Sequence, residues 1–203
     1  MVRFALRDGL ESFRCRHSDE VSSDSDQMKN DPNRYLQEYA LEDENRRRCK
    51  TYLVVNDEDY REGRLVILGY FTISMSVFDS SSVFSNTIRS MLLGDRLGRT
   101  SGVYVPAYLI AQLACGESTT RAEFSGASLL GFAEDVVERA TELVGGSIVY
   151  LQCCDRLIKH YTNLGYSHMT SESDENAPNI MVKLIITDMI VDDLDATLVA
   201  EDA

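Results

Sequence analysis

The sequence predicts an α/β domain, and three stretches carry that reading. Val105–Ala114 (VPAYLIAQLA) is an almost unbroken apolar run, the pattern of a buried strand. Leu129, Leu130, Ala133, Val136, Val137, Ala140, Leu143 and Val144 recur at helical spacing, one apolar stripe on a helix of about five turns. Between them lies the polar loop Cys115–Ser125, so strand, loop and helix follow in the order of an α/β unit.

The other elements fall around these in chain order. Ser18–Lys29 is polar and Ser/Asp-rich and predicts a mobile loop over about residues 18–30. Asp31-Pro32 has the form of a helix N-cap followed by proline at the first helical position. Tyr35, Leu36, Tyr39 and Ala40 then share one helical face. Tyr52–Asn56 and Val66–Val77 are rich in β-branched and aromatic residues, and the charged stretch Asp57–Arg64 reads as the hairpin loop between them. A further helix is predicted over Asn86–Leu93. In the second half, Pro106 fits its strand only near the start or at an edge. Gly145-Gly146 stops the long helix, and Ser147–Gln152 is a second buried strand. Asp155 is expected to cap a short helix bearing Leu157, Ile158, Tyr161 and Leu164, which Gly165 ends. The last strand is about Ile180–Ile186, before an acidic tail, Asp188–Ala203.

Composition narrows the function classes. With 203 residues, 44% of them hydrophobic, residues 1–203 suit a single domain with a substantial core. No run approaches the roughly 18 apolar residues of a membrane span, and no long apolar segment marks a secretory signal near the N-terminus. A cytoplasmic protein with no membrane partner is the expectation. The five cysteines are odd in number, Cys153 and Cys154 are adjacent, and no CxxC pair occurs, so neither a disulfide framework nor a zinc site is suggested. His17, His160 and His168 are too scattered to form a ligand set, and no metal is expected. The net charge of −13 repels polyanions and favours cationic partners, which argues against nucleic acid. The short cluster Arg46-Arg47-Arg48 does not reverse that balance.

A loop that leaves a buried strand and opens a helix presents unpaired N–H groups at the positive end of the helix dipole, a setting that binds phosphate. Gly126, having no Cβ, lets a ligand approach the backbone. Neither GxGxxG nor GxxxxGK[ST] is present, which sets aside the dinucleotide and Walker loops. Arg121-Ala122-Glu123-Phe124-Ser125-Gly126 instead resembles the (Arg/Gln)-x-x-Gly-x-(Gly/Ala) loop of the GNAT superfamily of N-acetyltransferases. Ala107–Cys115 resembles the strand before that loop, and His160–Tyr166 resembles the superfamily's Tyr-x-x-x-Gly-(Phe/Tyr) segment. Thr51–Val55 and Leu68–Thr72 resemble its early strand pair, and the motifs stand in the family's order from about Thr51 to Ile186. The clear departure is Phe124, where the pattern has its first glycine; Cys154 and Asp155 also stand where many members carry an asparagine.

The resemblance implies a mixed, mostly antiparallel central sheet of six or seven strands flanked by helices. It implies acetyl-CoA as acyl donor and a primary amine as acceptor. Backbone groups of Leu113, Ala114 and Cys115 would hold the pantetheine arm. Those of Arg121, Ala122, Glu123, Phe124, Ser125, Gly126 and Ala127 would bind the pyrophosphate, with Arg121 adding charge, and Tyr161 would protonate the departing thiolate. Many members pair, which makes a homodimer an expectation that no residue here specifies. The charge favours a cationic small amine or a protein or peptide amine; the motif order also resembles toxin-type members that acetylate aminoacyl-tRNA. The general base is not fixed by sequence, with Glu117, Tyr70 and Ser74 as candidates. Two rival readings remain: a Cys153 or Cys154 nucleophile with His160 as base, and a non-catalytic acyl-CoA-binding or interaction domain, for which Phe124 is the best support.

Overall fold

Strand propensity and helical spacing resolve into a six-stranded sheet with helices between its strands in a computed structural model that describes residues 9–16, 32–79, 104–169 and 179–185. The strands are β1 (Lys50–Val55), β2 (Ile67–Asp79), β3 (Tyr104–Cys115), β4 (Ile148–Cys153), β5 (Ser167–Met169) and β6 (Asn179–Leu184). Their hydrogen-bonded order is β1-β2-β3-β4-β6-β5. The pairs β1/β2, β4/β6 and β5/β6 are antiparallel, so the expected mostly antiparallel α/β sheet is the observed one. The predicted loop over residues 18–30, the Asp31 cap, the helix Asn86–Leu93 and the acidic tail lie outside the described residues.

The chain divides into two compact units, one of Met1–Met75 with Leu109–Asp135 and one of Ser76–Tyr108 with Val136–Ala203. In the first, a buried cluster gathers Leu10, Phe13, Leu36, Ala40, Ile67, Tyr70 and Ala114. In the second, Phe78, Val105, Ala107, Ile148, Met169 and Val182 form the core. The second cluster takes alternate residues of β3, Val105 and Ala107, as one buried sheet face requires, while the first joins strand residues to Leu36 and Ala40 of the helical segment.

Residues 9–12 form a helical turn; further on, α1 (Pro32–Arg34) runs through a π-helical turn, Tyr35–Tyr39, into α2 (Ala40–Asn45). The expected face of Tyr35, Leu36, Tyr39 and Ala40 is only half right. The N–H of Ala40 bonds the carbonyl of Tyr35, five residues back, and the widened turn buries Leu36 and Ala40 while leaving Tyr39 exposed beneath the Arg34 guanidinium. The Asp57–Arg64 connection is not all loop: α3 (Asp57–Arg61) forms there, with the Asn56 side chain accepting from the N–H of Asp59 at 3.0 Å.

Helix α4 (Gly126–Val144) is the long helix predicted, and Leu129, Leu130, Ala133 and Val137 of its stripe are buried. Its last residues, Leu143 and Val144, are exposed instead. Gly145 and Gly146 at φ +76° and +87° end it, a conformation side chains with a Cβ rarely adopt. Helix α5 (Asp155–Asn163) is capped differently from the expectation: Cys154 is the N-cap and Asp155 the first helical residue. The Asp155 carboxylate accepts from the Asn179 side chain at 2.6 Å. Pro106 sits exposed as the third residue of β3, near its start as expected.

Candidate functional site

The segment from β3 into α4 lies within the first unit. Ser125 is its pivot: its Oγ accepts from the N–H of Ser128 at 3.0 Å and its carbonyl from that of Leu129 at 3.0 Å, capping α4. The amides of Gly126 and Ala127 belong to the first turn, where an α-helix offers no internal acceptor. A Cβ built on Gly126 would meet nothing within 4 Å, so the space on that side of the residue is open. Arg121, Ala122 and Glu123 are exposed.

Not every amide of the expected set faces outward. Thr120 takes the N–H of Glu123 at 3.2 Å and of Phe124 at 3.0 Å on its carbonyl. In return the Glu123 carboxylate accepts the Thr120 N–H at 2.9 Å and its hydroxyl at 3.0 Å. These bonds hold the Glu123 carboxyl below its ordinary range. Of the expected amides, those of Glu123 and Phe124 are thus taken up within the loop, while those of Gly126 and Ala127 open the helix.

Phe124, the departure from the glycine pattern, has its ring turned into the unit. It stacks on Phe132 with centroids 6.4 Å apart. A Cβ on Gly69 would lie 3.0 Å from Phe124 Cε1 and 3.0 Å from the Ala114 carbonyl, so the ring fits because position 69 has none. Its φ is not positive, and the aromatic side chain therefore stands without backbone strain.

At the end of β3, Ala114 is buried and Leu113 and Cys115 half-buried. The Cys115 carbonyl accepts from the N–H of Arg16 at 2.9 Å, which removes it from the groups open to a pantetheine arm. Burial pushes the Cys115 thiol up, with Arg16 partly offsetting it. Of the candidate bases, Glu117 is exposed and lines a cavity of about 220 Å³ with Phe13, Arg14, Ile67 and Gly116. The Tyr70 hydroxyl, fully buried, donates to the Pro32 carbonyl at 2.7 Å and is already engaged. Ser74 is half-buried.

Tyr161 lies in the second unit, and its sequence motif has a plain physical meaning. The N–H of Tyr166 bonds the Tyr161 carbonyl at 3.1 Å and that of Gly165 bonds Thr162 at 3.1 Å, with Gly165 at φ +88°. This is a Schellman ending, in which the residue before the last turn meets the one after the glycine. The two tyrosine rings accordingly meet edge to face, centroids 5.9 Å apart, and Tyr161 is 8% exposed. Nearby, burial first and the neighbouring Cys154 and Asp155 second push the Cys153 thiol up to about 11. Cys153 is therefore almost wholly protonated at neutral pH, which counts against a nucleophilic role. Among the described residues, no group of His, Cys, Asp and Glu could hold a metal ion, and no helix is long and apolar enough to cross a membrane.

No protein-family profile matches the chain, and no curated protein matches its sequence. Solved structures do match, and they share this chain's fold. One is a Tyr-to-Phe variant of KacT, with TM-score 0.65 and 17% identity over 91% of each chain. Another is AtaT complexed with acetyl-methionyl-tRNAfMet, with TM-score 0.62 and 18% identity over 86% of each chain. A third is AtaTR bound with acetyl-CoA, with TM-score 0.59 and 17% identity over 87% of this chain and 86% of that one.

Proposed function

We propose that the chain is an acetyl-CoA-dependent N-acetyltransferase that moves an acetyl group onto a primary amine by direct attack. The observation that carries this is the turn from β3 into α4, where first-turn amides lie beside a glycine with open space above it. In this reading those amides receive the diphosphate, exposed Arg121 adds charge, and backbone groups left at Leu113–Cys115 receive the pantetheine arm. The fold it shares with AtaT, solved in a complex bound with acetyl-CoA, supports the same donor.

Chemistry then asks two things of the protein. An alkylamine of pKa about 10.4 is nucleophilic in only about one molecule in a thousand at neutral pH, so the site must desolvate it or supply a base. The departing thiolate needs a proton, and Tyr161 supplies it from its phenol once the two are in contact. Tyr161→Phe keeps the ring packed on Tyr166 and removes the proton. It should lower kcat by about 10²-fold or more with little change in the KM for acetyl-CoA. An unchanged kcat would take Tyr161 out of the mechanism.

The acceptor has two readings. The net charge of −13 favours a cationic small amine or a lysine-rich or N-terminal peptide amine. Arg46 and Arg48 are also held in ion pairs with Glu42 and Asp43, which leaves them less available for phosphate. The likeness to AtaT, solved with acetyl-methionyl-tRNA, favours the amino group of an aminoacyl-tRNA. Thiol release from acetyl-CoA with a polyamine, a lysine-rich peptide and methionyl-tRNA in parallel decides between them, and release with none of the three would remove the transferase reading.

A further inference from the structure

Residues 14–16 run antiparallel beside the end of β3. Cys15 pairs with Gly116, the Arg16 N–H donates to the Cys115 carbonyl at 2.9 Å, and the Glu117 N–H donates to the Arg14 carbonyl at 2.9 Å. This short segment is itself fastened into the unit. The Asn33 side chain accepts the Cys15 N–H at 2.6 Å, Gln37 donates to the Phe13 carbonyl at 3.0 Å, and Phe13 meets the Tyr70 ring edge-on at 5.4 Å. Its rigid base makes it a support on which another element can be held.

From that base the Arg16 side chain reaches the loop. One guanidinium nitrogen donates to the Phe124 carbonyl at 3.1 Å and another to the Thr119 hydroxyl at 2.6 Å. Its Nε is buried with no hydrogen-bond partner. A guanidinium is a planar fork whose donors point in fixed directions, so two acceptors on one loop determine the position of both. Burying it with an unsatisfied donor works against stability. Phe124 directly precedes Ser125, the cap of α4, and fixing its carbonyl therefore fixes the peptide that leads into the first-turn amides.

We propose that Arg16 is a positioning residue for acyl-CoA binding: it clamps the Thr119–Phe124 stretch so that the amides of Gly126 and Ala127 are presented to the diphosphate. This rests on the transferase reading for its ligand but not for its geometry. The fork, and not the charge alone, carries the effect, because the two acceptors are a neutral carbonyl and a hydroxyl.

Arg16→Lys and Arg16→Gln test it against the wild type by two readouts. The first is hydrogen exchange of the Thr120, Glu123 and Phe124 amides, which are bonded within the loop, in the protein without ligand; it should speed up at least tenfold in both variants while exchange in β4 and β6 stays unchanged. The second is steady-state kinetics, where the KM for acetyl-CoA should rise tenfold or more in both with kcat within twofold. Thr119→Val removes one acceptor and leaves Arg16 in place, and it should shift both readouts in the same direction by a smaller factor; it keeps the test valid if the Arg16 variants do not fold. Wild-type exchange in both Arg16 variants would overturn the proposal, as would full rescue by lysine, since charge would then suffice. If the wild type itself fails to turn over or bind acetyl-CoA, the transferase reading falls, and the exchange readout still decides the role of Arg16.

Discussion

At the scale of single residues, Phe124 and Gly69 show how a departure from a pattern is accommodated. The aromatic ring replaces a glycine in the loop, and the space it needs is supplied across the unit by the missing Cβ of Gly69. Gly69→Ala should push the ring out of its slot, because the Ala114 carbonyl on the other side is backbone and does not yield. Overpacking of this kind costs about 1–3 kcal/mol, and chemical denaturation should show it together with a raised KM for acetyl-CoA. Cys153 offers a pH test. With its thiol at about 11, alkylation near pH 7.5 should run about 100-fold slower than for a peptide cysteine. A folded-state pKa above the ordinary thiol value means the unfolded chain ionises first, so its contribution to stability falls as pH rises from about 9 through about 11. Fast labelling at Cys153 that inactivates the protein would revive the cysteine reading. None of these packing details was legible in the sequence. The Phe124–Gly69 and Arg16–Phe124 contacts join residues far apart in the chain, and periodicity reports only neighbours within a turn or two.

Elements were more legible where their signals are local. β3 announced itself by an unbroken apolar run, α4 by its stripe, and the end of α4 by two glycines, because each depends on residues adjacent in sequence. The turn Tyr161–Tyr166 was visible as a motif, and the structure supplies its cause in the Schellman hydrogen bonds. Gly165→Ala tests that cause: a Cβ in the left-handed region costs about 1–2 kcal/mol, although nothing is nearer to it than the Lys183 side chain at 3.7 Å. Thermal melts should show the loss, and a variant as stable as the wild type would mean the turn is not held by that glycine. Other elements escaped sequence reading for physical reasons. The π turn at Tyr35–Tyr39 changes helical phase without changing composition. β5 is three residues long, too short to show alternation. The short helix α3 did leave a signal, Asn56 capping an acidic first turn, which the charged composition of the stretch concealed.

For the molecule as a whole, the α/β sheet implied by the family resemblance is the sheet observed, in six strands, and a solved structure of like fold covers 91% of the chain at 17% identity. Identity that low shows a shared fold and leaves the ligand to be established by chemistry. In the function proposed, the charge of −13 bears on the acceptor, while donor binding rests on the helix opening at Gly126. The most direct measurement is isothermal titration of the protein with acetyl-CoA, with CoA and ADP run alongside. Saturable heat from acetyl-CoA and CoA in the micromolar to submillimolar range, with much weaker binding of ADP, is the predicted result. Absence of any binding heat from acetyl-CoA or CoA at millimolar concentration, over a range of temperatures, would contradict it.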